Sequence, residues 1–302
     1  MERAPLPPPR SWQRLLELAL EEDIGPGDAT TPAVVEAGRR GEAVIEARAP
    51  LVVCGLEVAA AVFHAVDAEL RFAARAREGA AARAGEPLAQ LSGELRSLLI
   101  AERTALNFLG RLCGVASWTR RFVEAIDGTG ARIVDTRKTL PGWRVLDKYA
   151  VAVGGGINHR LGLFDGILLK DNHIAVAGSV EAAVKTLRAV APPGLRIQVE
   201  VESEADAVAA CDAGVDFLLL DNRPLRELRR IVERVGDRAL LEASGGITLA
   251  NVREVAETGV HRISIGALTH SAPSADLSLE VRPAGPASRR PREEEAAGGV
   301  DA

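Results

Sequence analysis

From Ala131 onward the chain alternates short, nearly continuous apolar segments with amphipathic helical patterns, and this rhythm restricts the fold more than any other feature of its 302 residues. The segments are ARIVDT, FDGILLKD, RIQVEVES, DFLLLDN, ALLEASGG and RISIGA. Apolar runs this short suit parallel strands buried on both faces. Between the later ones, ADAVAACDAG, PLRELRRIVERV and TLANVREVAETG carry helical periodicity, so the repeating unit is βα. Six strands are fewer than the eight of a full barrel, which leaves an incomplete α/β barrel or an open doubly wound sheet. Polar placement favours the barrel. Lys170, Glu200, Asp221, Ser244 and Gly266 each fall at or just beyond the C-terminal end of a strand, where barrels collect their chemistry.

The first part of the chain has a different texture. Trp12, Leu15, Leu16, Leu18 and Ala19 recur at helical spacing between Ser11 and Glu22, ahead of the breaker IGPGD. The alternating segments GEAVIEARA, ELRFAARAREG and EPLAQLSG then read as strands, with a helix over Leu56 to Val66 between the first two. A longer helix is expected from Glu94 to about Ala125, with Leu98, Leu99, Leu106, Leu109 and Leu112 as its stripe and Gly110 and Gly114 marking a bend or a close contact. The division expected is a mixed α+β domain over 1–115, joined by a segment at about 273–282, a barrel domain over 116–272, and a disordered Pro-, Gly- and Ala-rich tail over 283–302.

Charge narrows the function. The net charge is -5, yet residues 131 to 173 gather Arg137, Lys138, His159, Arg160 and Lys170. Cations concentrated near strand ends suit a small polyanion, since a charge-assisted bond in a partly dry pocket contributes roughly 1.5 to 3 kcal/mol. Aromatic residues make up only 3%, too few for stacking platforms, and the acidic balance argues against nucleic acid. Cys54, Cys113 and Cys211 stand far apart in no CxxC pair and read as reduced core residues of a cytoplasmic protein. The start lacks the apolar stretch of a signal peptide, and Glu57 and His64 interrupt the longest apolar run, so no membrane segment is expected. The glycines at 154–156 follow a helical pattern instead of a strand, which speaks against a dinucleotide fingerprint and for local flexibility.

DTRKTLPGWR, KYAV, GGGINHR, LLKDNHI, VEVES, LLLDN, EASGGI and SIGALTH, in this order, resemble the signature segments of the quinolinate phosphoribosyltransferases. The likeness runs from EEDIGPGDATT to DLSLEV. It implies a mixed N-terminal domain, an incomplete α/β barrel, a homodimer with sites between subunits, and condensation of quinolinate with phosphoribosyl pyrophosphate to nicotinate mononucleotide, pyrophosphate and carbon dioxide with Mg²⁺. By position, the resemblance places Arg137, His159, Arg160 and Lys170 around quinolinate with Lys138 beside them, and Arg103 in the neighbouring subunit's site. Glu200 and Asp221 match the acidic pair near ribose and magnesium, with the metal reached through water. Lys138, Glu200 and Asp221 are the residues expected to act on the reaction itself. Ser244, Gly245, Gly246, Gly266 and Ala267 match the loops that take the 5′-phosphate. Ala275 departs from the pattern, standing where a larger apolar residue is usual, which leaves the packing of that segment open.

Other readings attach to the same residues. A strand-end Lys170 also suits a Schiff base in a barrel aldolase. Arg103 beside an apolar stripe can simply lay its stem on the core. Asp135 and Glu242 are expected to satisfy loop amides. A related transferase acting on nicotinate, a family member attached to metal uptake, or a silent barrel that senses an anionic metabolite are the competing functions.

Overall fold

The computed structural model describes residues 4–192 and 194–284. Its first part contains α1 (Gln13–Ile24), α2 (Thr31–Val34), β1 (Arg40–Ala47), β2 (Leu51–Val52), α3 (Leu56–Val66), β3 (Arg71–Ala74), β4 (Ala81–Ala82), β5 (Pro87–Glu94) and α4 (Leu95–Ala125). On β1 the buried residues Gly41, Ala43, Ile45 and Ala47 fall at every second position, as a strand with one covered face requires. Helix α4 buries residues along most of its length, including Leu98, Leu106, Leu109 and Leu112. It runs unbroken through position 115, so the expected boundary falls inside a helix shared by both halves. The physical reason is that a helix buried on several sides can serve two cores at once.

The second part follows the βα rhythm with β6 (Arg132–Val134), α5 (Arg144–Val153), β7 (Ile167–Leu169), α6 (Asp171–Ala177), α7 (Val180–Val190), β8 (Ile197–Glu200), α8 (Glu204–Asp212), β9 (Phe217–Asp221), α9 (Leu225–Val235), β10 (Leu240–Ser244), α10 (Val252–Ala256), β11 (Arg262–Ser264) and α11 (Ala267–His270). These six strands form one parallel sheet in the order β6-β11-β10-β9-β8-β7. Helices close the units by ordinary means. Ser179 and Ser203 cap α7 and α8 by accepting from Ala182 N and Asp206 N, each at 3.1 Å. On α9, Leu228, Ile231 and Val235 are buried at helical spacing while the arginines between them face outward.

Contacts across the inner face show that this sheet is curled instead of flat. The Arg262 guanidinium of β11 sits 4.4 Å from the Phe217 ring of β9, reaching past the intervening β10. Likewise His159 Nε2 meets Gln198 Oε1 of β8 at 2.8 Å and lies 3.5 Å from Glu242 Oε1 of β10. A segment bridged to the free edge of β6 can reach β8, four strands along the sheet order, only if the sheet is curled. The last strand, β11, pairs with the first, β6, which leaves β6 and β7 as the two edges. Ile157 adds a single parallel bridge to Val134 on the free edge of β6, and no ladder joins it to β7 among the described residues. The barrel is therefore incomplete, and the open doubly wound alternative is excluded.

The chain then returns to its first domain. β12 (Leu277–Pro283) pairs antiparallel with β1, from Gly41 opposite Pro283 to Ala47 opposite Leu277, in a sheet of order β12-β1-β5-β3. The segment before it lies flat on α4. A Cβ at Gly114 would stand 2.1 Å from Pro273 O, one at Gly110 would stand 3.0 Å from Ala275 O, and Ala275 N donates to Gly110 O at 2.9 Å. Both glycines thus mark close packing and not a bend, and the small Ala275 is seated by backbone contact. Pro283 ends β12 and Ala284 N donates to Arg40 O at 3.1 Å, so these two belong to the sheet and not to a tail. The rest of the expected tail lies outside the described residues.

Gly154 and Gly156 also serve packing and not flexibility: a Cβ at Gly154 would lie 2.5 Å from Ala116 O, and one at Gly156 would lie 2.8 Å from Val151 Cγ1, while Gly155 between them adopts φ +98°. The three cysteines are free and buried, as expected. Among the described residues no helix is long and apolar enough to cross a membrane. Gly114→Ala is expected to destabilise the protein by roughly 1–3 kcal/mol, because the added methyl meets backbone that cannot step aside. Calorimetry should show a lowered thermal midpoint, and an unchanged one would mean that the 273–275 segment does not bear on α4.

Candidate active site

At the C-terminal ends of the barrel strands the structure brings cations and carboxylates to one mouth. Lys170 follows β7 and places Nζ 3.6 Å from Oε2 of Glu200, the last residue of β8. Lys170 is about half exposed, with 53% side-chain accessibility, which differs from the dry pocket that activates a Schiff-base lysine. Asp221 ends β9. Its Oδ2 accepts from the Asn222 side chain at 2.7 Å, while Asn222 N donates to Ser244 O at 2.8 Å. Asn222 adopts φ 52°, the sole non-glycine residue with positive φ among those described, and thereby ties the end of β9 to the end of β10.

The loop after β10 has little freedom of composition. Gly245 has φ +91°, and a Cβ there would lie 2.1 Å from Asn222 Oδ1. Gly246 follows at φ +62° with open space around its Cα, and Asn251 Nδ2 holds its carbonyl at 3.0 Å. After β11, a Cβ on Gly266 would touch Lys138 Cδ and His270 Nε2, each at 3.0 Å. Lys138 therefore lies over the Gly266–Ala267 turn. A chain of contacts fixes it there: Arg111 of α4 grips Asp147 with bonds of 3.0 and 3.1 Å and donates to Thr269 O, and Thr269 Oγ1 donates to Lys138 O at 2.8 Å.

Arg160 lies along the start of β7, where its Nη1 donates to Gly166 O at 2.9 Å. Burial, and then the neighbouring Arg137 guanidinium, pull the Arg160 pKa below its ordinary value. Arg144 staples their two loops, donating to Thr139 Oγ1 at 3.1 Å and to Leu161 O at 3.2 Å. Beneath them lies a buried ion pair, Asp135 with Lys148, at 0% and 4% side-chain exposure. The Asp135 Oδ1 atom also accepts from His159 N at 2.8 Å, and Lys148 Nζ donates to His159 O at 2.9 Å. The pair thus clamps both sides of the peptide backbone that presents His159 and Arg160. Asp135 does satisfy a loop amide, as expected, but its larger part is this clamp.

His159 itself is turned inward. Its Nδ1 accepts from Arg160 N at 2.8 Å, so the proton resides on Nε2, which donates to Gln198 Oε1. Both ring nitrogens are occupied within the protein, and neither is aimed at the strand-end cations. Arg103 is not at this mouth either. It is exposed on α4, next to Thr104, whose hydroxyl contacts Asp23 of α1, and about 12 Å along the helix from Arg111.

Lys148, Asp147, Arg144, Gln198 and Asn222 had no place in the expected site. A signal for two of them existed: Asp147 and Lys148 interrupt the otherwise apolar face of RVLDKYAVAV, and buried charges demand partners. Among the described residues no group of three or more His, Cys, Asp or Glu side chains converges as a metal site.

This geometry can be set beside known proteins. The family model for the quinolinate phosphoribosyl transferase C-terminal domain matches residues 115–280, and that for the N-terminal domain matches residues 28–113. The chain belongs to the quinolinate phosphoribosyltransferase family. A probable carboxylating nicotinate-nucleotide pyrophosphorylase of Bacillus subtilis is 40% identical over 270 residues, covering 89% of this chain and 93% of that one. The Mycobacterium leprae nicotinate-nucleotide pyrophosphorylase is 44% identical over 269 residues, covering 87% and 94%. In three dimensions the chain is similar to the Francisella tularensis nicotinate-nucleotide pyrophosphorylase, with a TM-score of 0.89 at 34% identity, covering 93% of this chain and 100% of that one.

The ion pair has a consequence in pH. Burial pushes Asp135 up to about 6, against the pull of Lys148, while the same burial draws Lys148 down. Below about pH 6 the folded protein takes up a proton on Asp135, Lys148 loses its counter-charge, and the clamp on the His159–Arg160 backbone loosens. The KM for quinolinate is therefore expected to rise as pH falls through about 6. Lys148→Met should raise it roughly tenfold or more already at pH 7.5, with a smaller effect on phosphoribosyl pyrophosphate. A pH-independent KM between 5 and 8 would remove the clamp from the account.

Proposed function

We propose that this chain condenses quinolinate with phosphoribosyl pyrophosphate to nicotinate mononucleotide, pyrophosphate and carbon dioxide, a step of NAD biosynthesis. The observation that carries this reading is the match of both halves of the chain to a single family, with Lys170, Glu200 and Asp221 at the C-terminal ends of successive barrel strands.

Quinolinate bears two adjacent carboxylates. Arg137, Arg160 and Lys170 are the cations that would grip both and turn the ring nitrogen toward the ribose C1. Lys138 and the backbone of Ser244, Gly245, Gly246, Gly266 and Ala267 face the phosphate end. As the bond from C1 to pyrophosphate breaks, positive charge grows on the ribose, and Glu200 and Asp221 stabilise it. The ring nitrogen then bonds to C1 through its lone pair. The carboxylate beside the new cationic nitrogen leaves as carbon dioxide, its electron pair stays on the ring carbon, and a proton completes the product.

Magnesium bound to the diphosphate would neutralise leaving-group charge. Glu200 and Asp221 are the residues that would hold it, through water, and two carboxylates without a third ligand fit an ion held mainly by phosphate oxygens. In a homodimer, Arg103 would reach the partner's mouth, which accords with its exposure and its distance from its own.

Incubation with quinolinate, phosphoribosyl pyrophosphate and Mg²⁺ should yield nicotinate mononucleotide and carbon dioxide, and nicotinate in place of quinolinate should yield neither. Glu200→Gln and Asp221→Asn are expected to lower kcat about 10²-fold each while leaving quinolinate affinity within a few-fold. Near-normal kcat at saturating magnesium would remove them from the transition state. Inactive Arg103→Ala and Lys170→Ala proteins, mixed and allowed to exchange subunits, should regain activity in the hybrid; proven exchange without recovery would rule out a shared site.

A further inference from the structure

The barrel carries a second cationic cavity at its other end. It measures about 450 Å³ and opens where the Ile157 segment and β7 fail to pair, with Arg160, Arg196, Gln198, Phe217 and Arg262 on its walls. Arg196 directly precedes β8, Phe217 opens β9 and Arg262 opens β11, so their backbones stand about 13 Å below the strand ends that carry Glu200 and Asp221. The Arg262 guanidinium lies 4.4 Å, and that of Arg196 5.6 Å, from the centre of the Phe217 ring. Phe217 thus holds two like charges together.

We propose that this N-terminal mouth of the barrel is a binding site for a small oxyanion, of carboxylate or phosphate chemistry, held by Arg196, Arg262 and the side-chain amide of Gln198. Gln198 is 5% exposed; its Oε1 accepts from His159, while its Nε2 is buried without a partner. An unpartnered donor beside two guanidiniums requires an acceptor, and a cation would meet only repulsion. Asp165 supplies the sole carboxylate on the cavity wall, and both its oxygens already accept backbone N–H groups, from Leu161 at 2.6 Å and Gly162 at 2.8 Å. Glu242 is the one carboxylate that offsets Arg262 from within the barrel, and Arg196 and Arg132 oppose it. A water can satisfy Gln198 Nε2, but it leaves the guanidinium charge unbalanced, and one water occupies about 30 Å³, a small part of the space. An oxyanion answers both demands. Held there, it would lie one side chain away from His159.

The cavity shares Arg160 with the proposed substrate site, so the variants that test it leave Arg160 intact, and the test is read without turnover. Crystals soaked in selenate should show an anomalous selenium peak within hydrogen-bond reach of Arg262 and Gln198 Nε2. Calorimetric titration with inorganic phosphate should resolve a second site beyond the one at the glycine loops. Arg196→Gln combined with Arg262→Gln should weaken that second site at least tenfold and leave the KM for phosphoribosyl pyrophosphate unchanged. Arg196→Gln alone, at an exposed position, should weaken it severalfold in a protein that folds normally. A cavity holding only water between Gln198 Nε2 and Glu242 Oε2, or variants that titrate like the parent protein, would overturn the proposal.

Discussion

The pairing of β11 with β6 is the constraint on which the mouth depends. It seats the last strand of the sheet beside the first, Ser264 opposite Val134, and the sheet curls until His159, two residues past the bridge on β6, meets Gln198 of β8. Without that curl, Lys170 at one edge and Arg137 at the other would be separated by the width of the sheet. With it, residues more than sixty positions apart share one concave face, as His159 and Glu242 do. The gap beside β7 follows from the same geometry, because six strands and one bridge do not complete the circumference.

The inner face is more polar than a packed barrel interior usually is. Gln198, Glu242 and His159 occupy its middle, with arginines beneath and carboxylates above. Buried polar groups raise the energy unless each finds a partner, and a buried ion pair roughly breaks even against apolar packing. Asp135 and Lys148 are therefore a poor means of gaining stability. They are well suited to fixing one peptide in one place, since removing either partner leaves a buried charge and costs about 3–5 kcal/mol. That rigidity is what a site needs when two guanidiniums must meet two carboxylates at fixed spacing.

Coupling between the domains runs through α4. Its glycines admit the 273–275 backbone, and its Arg111 reaches Asp147 on α5 and Thr269 on α11. Through Thr269 the same helix positions Lys138 over the turn at Gly266. The N-terminal domain thus shapes the barrel mouth through α4.

Local pattern alone determined much of this protein. Apolar runs located every barrel strand, helical spacing located α3 and nearly all of α4, and the change of rhythm at Ala131 marked the start of the barrel. These features are legible because strand and helix periods are imprinted on neighbouring residues. The candidate site was legible at strand ends, where Lys170, Glu200 and Asp221 stand by virtue of strand length. Only the tertiary structure decided which way the side chains turn: that His159 faces inward, that Lys138 lies over the Gly266 turn, and that the glycines at 110, 114, 154 and 156 admit close neighbours. It also decided that a lysine within an apolar helix face, Lys148, holds the loop of Arg160. Those outcomes depend on contacts between segments far apart in the chain, set by curl and burial, and no local period encodes them.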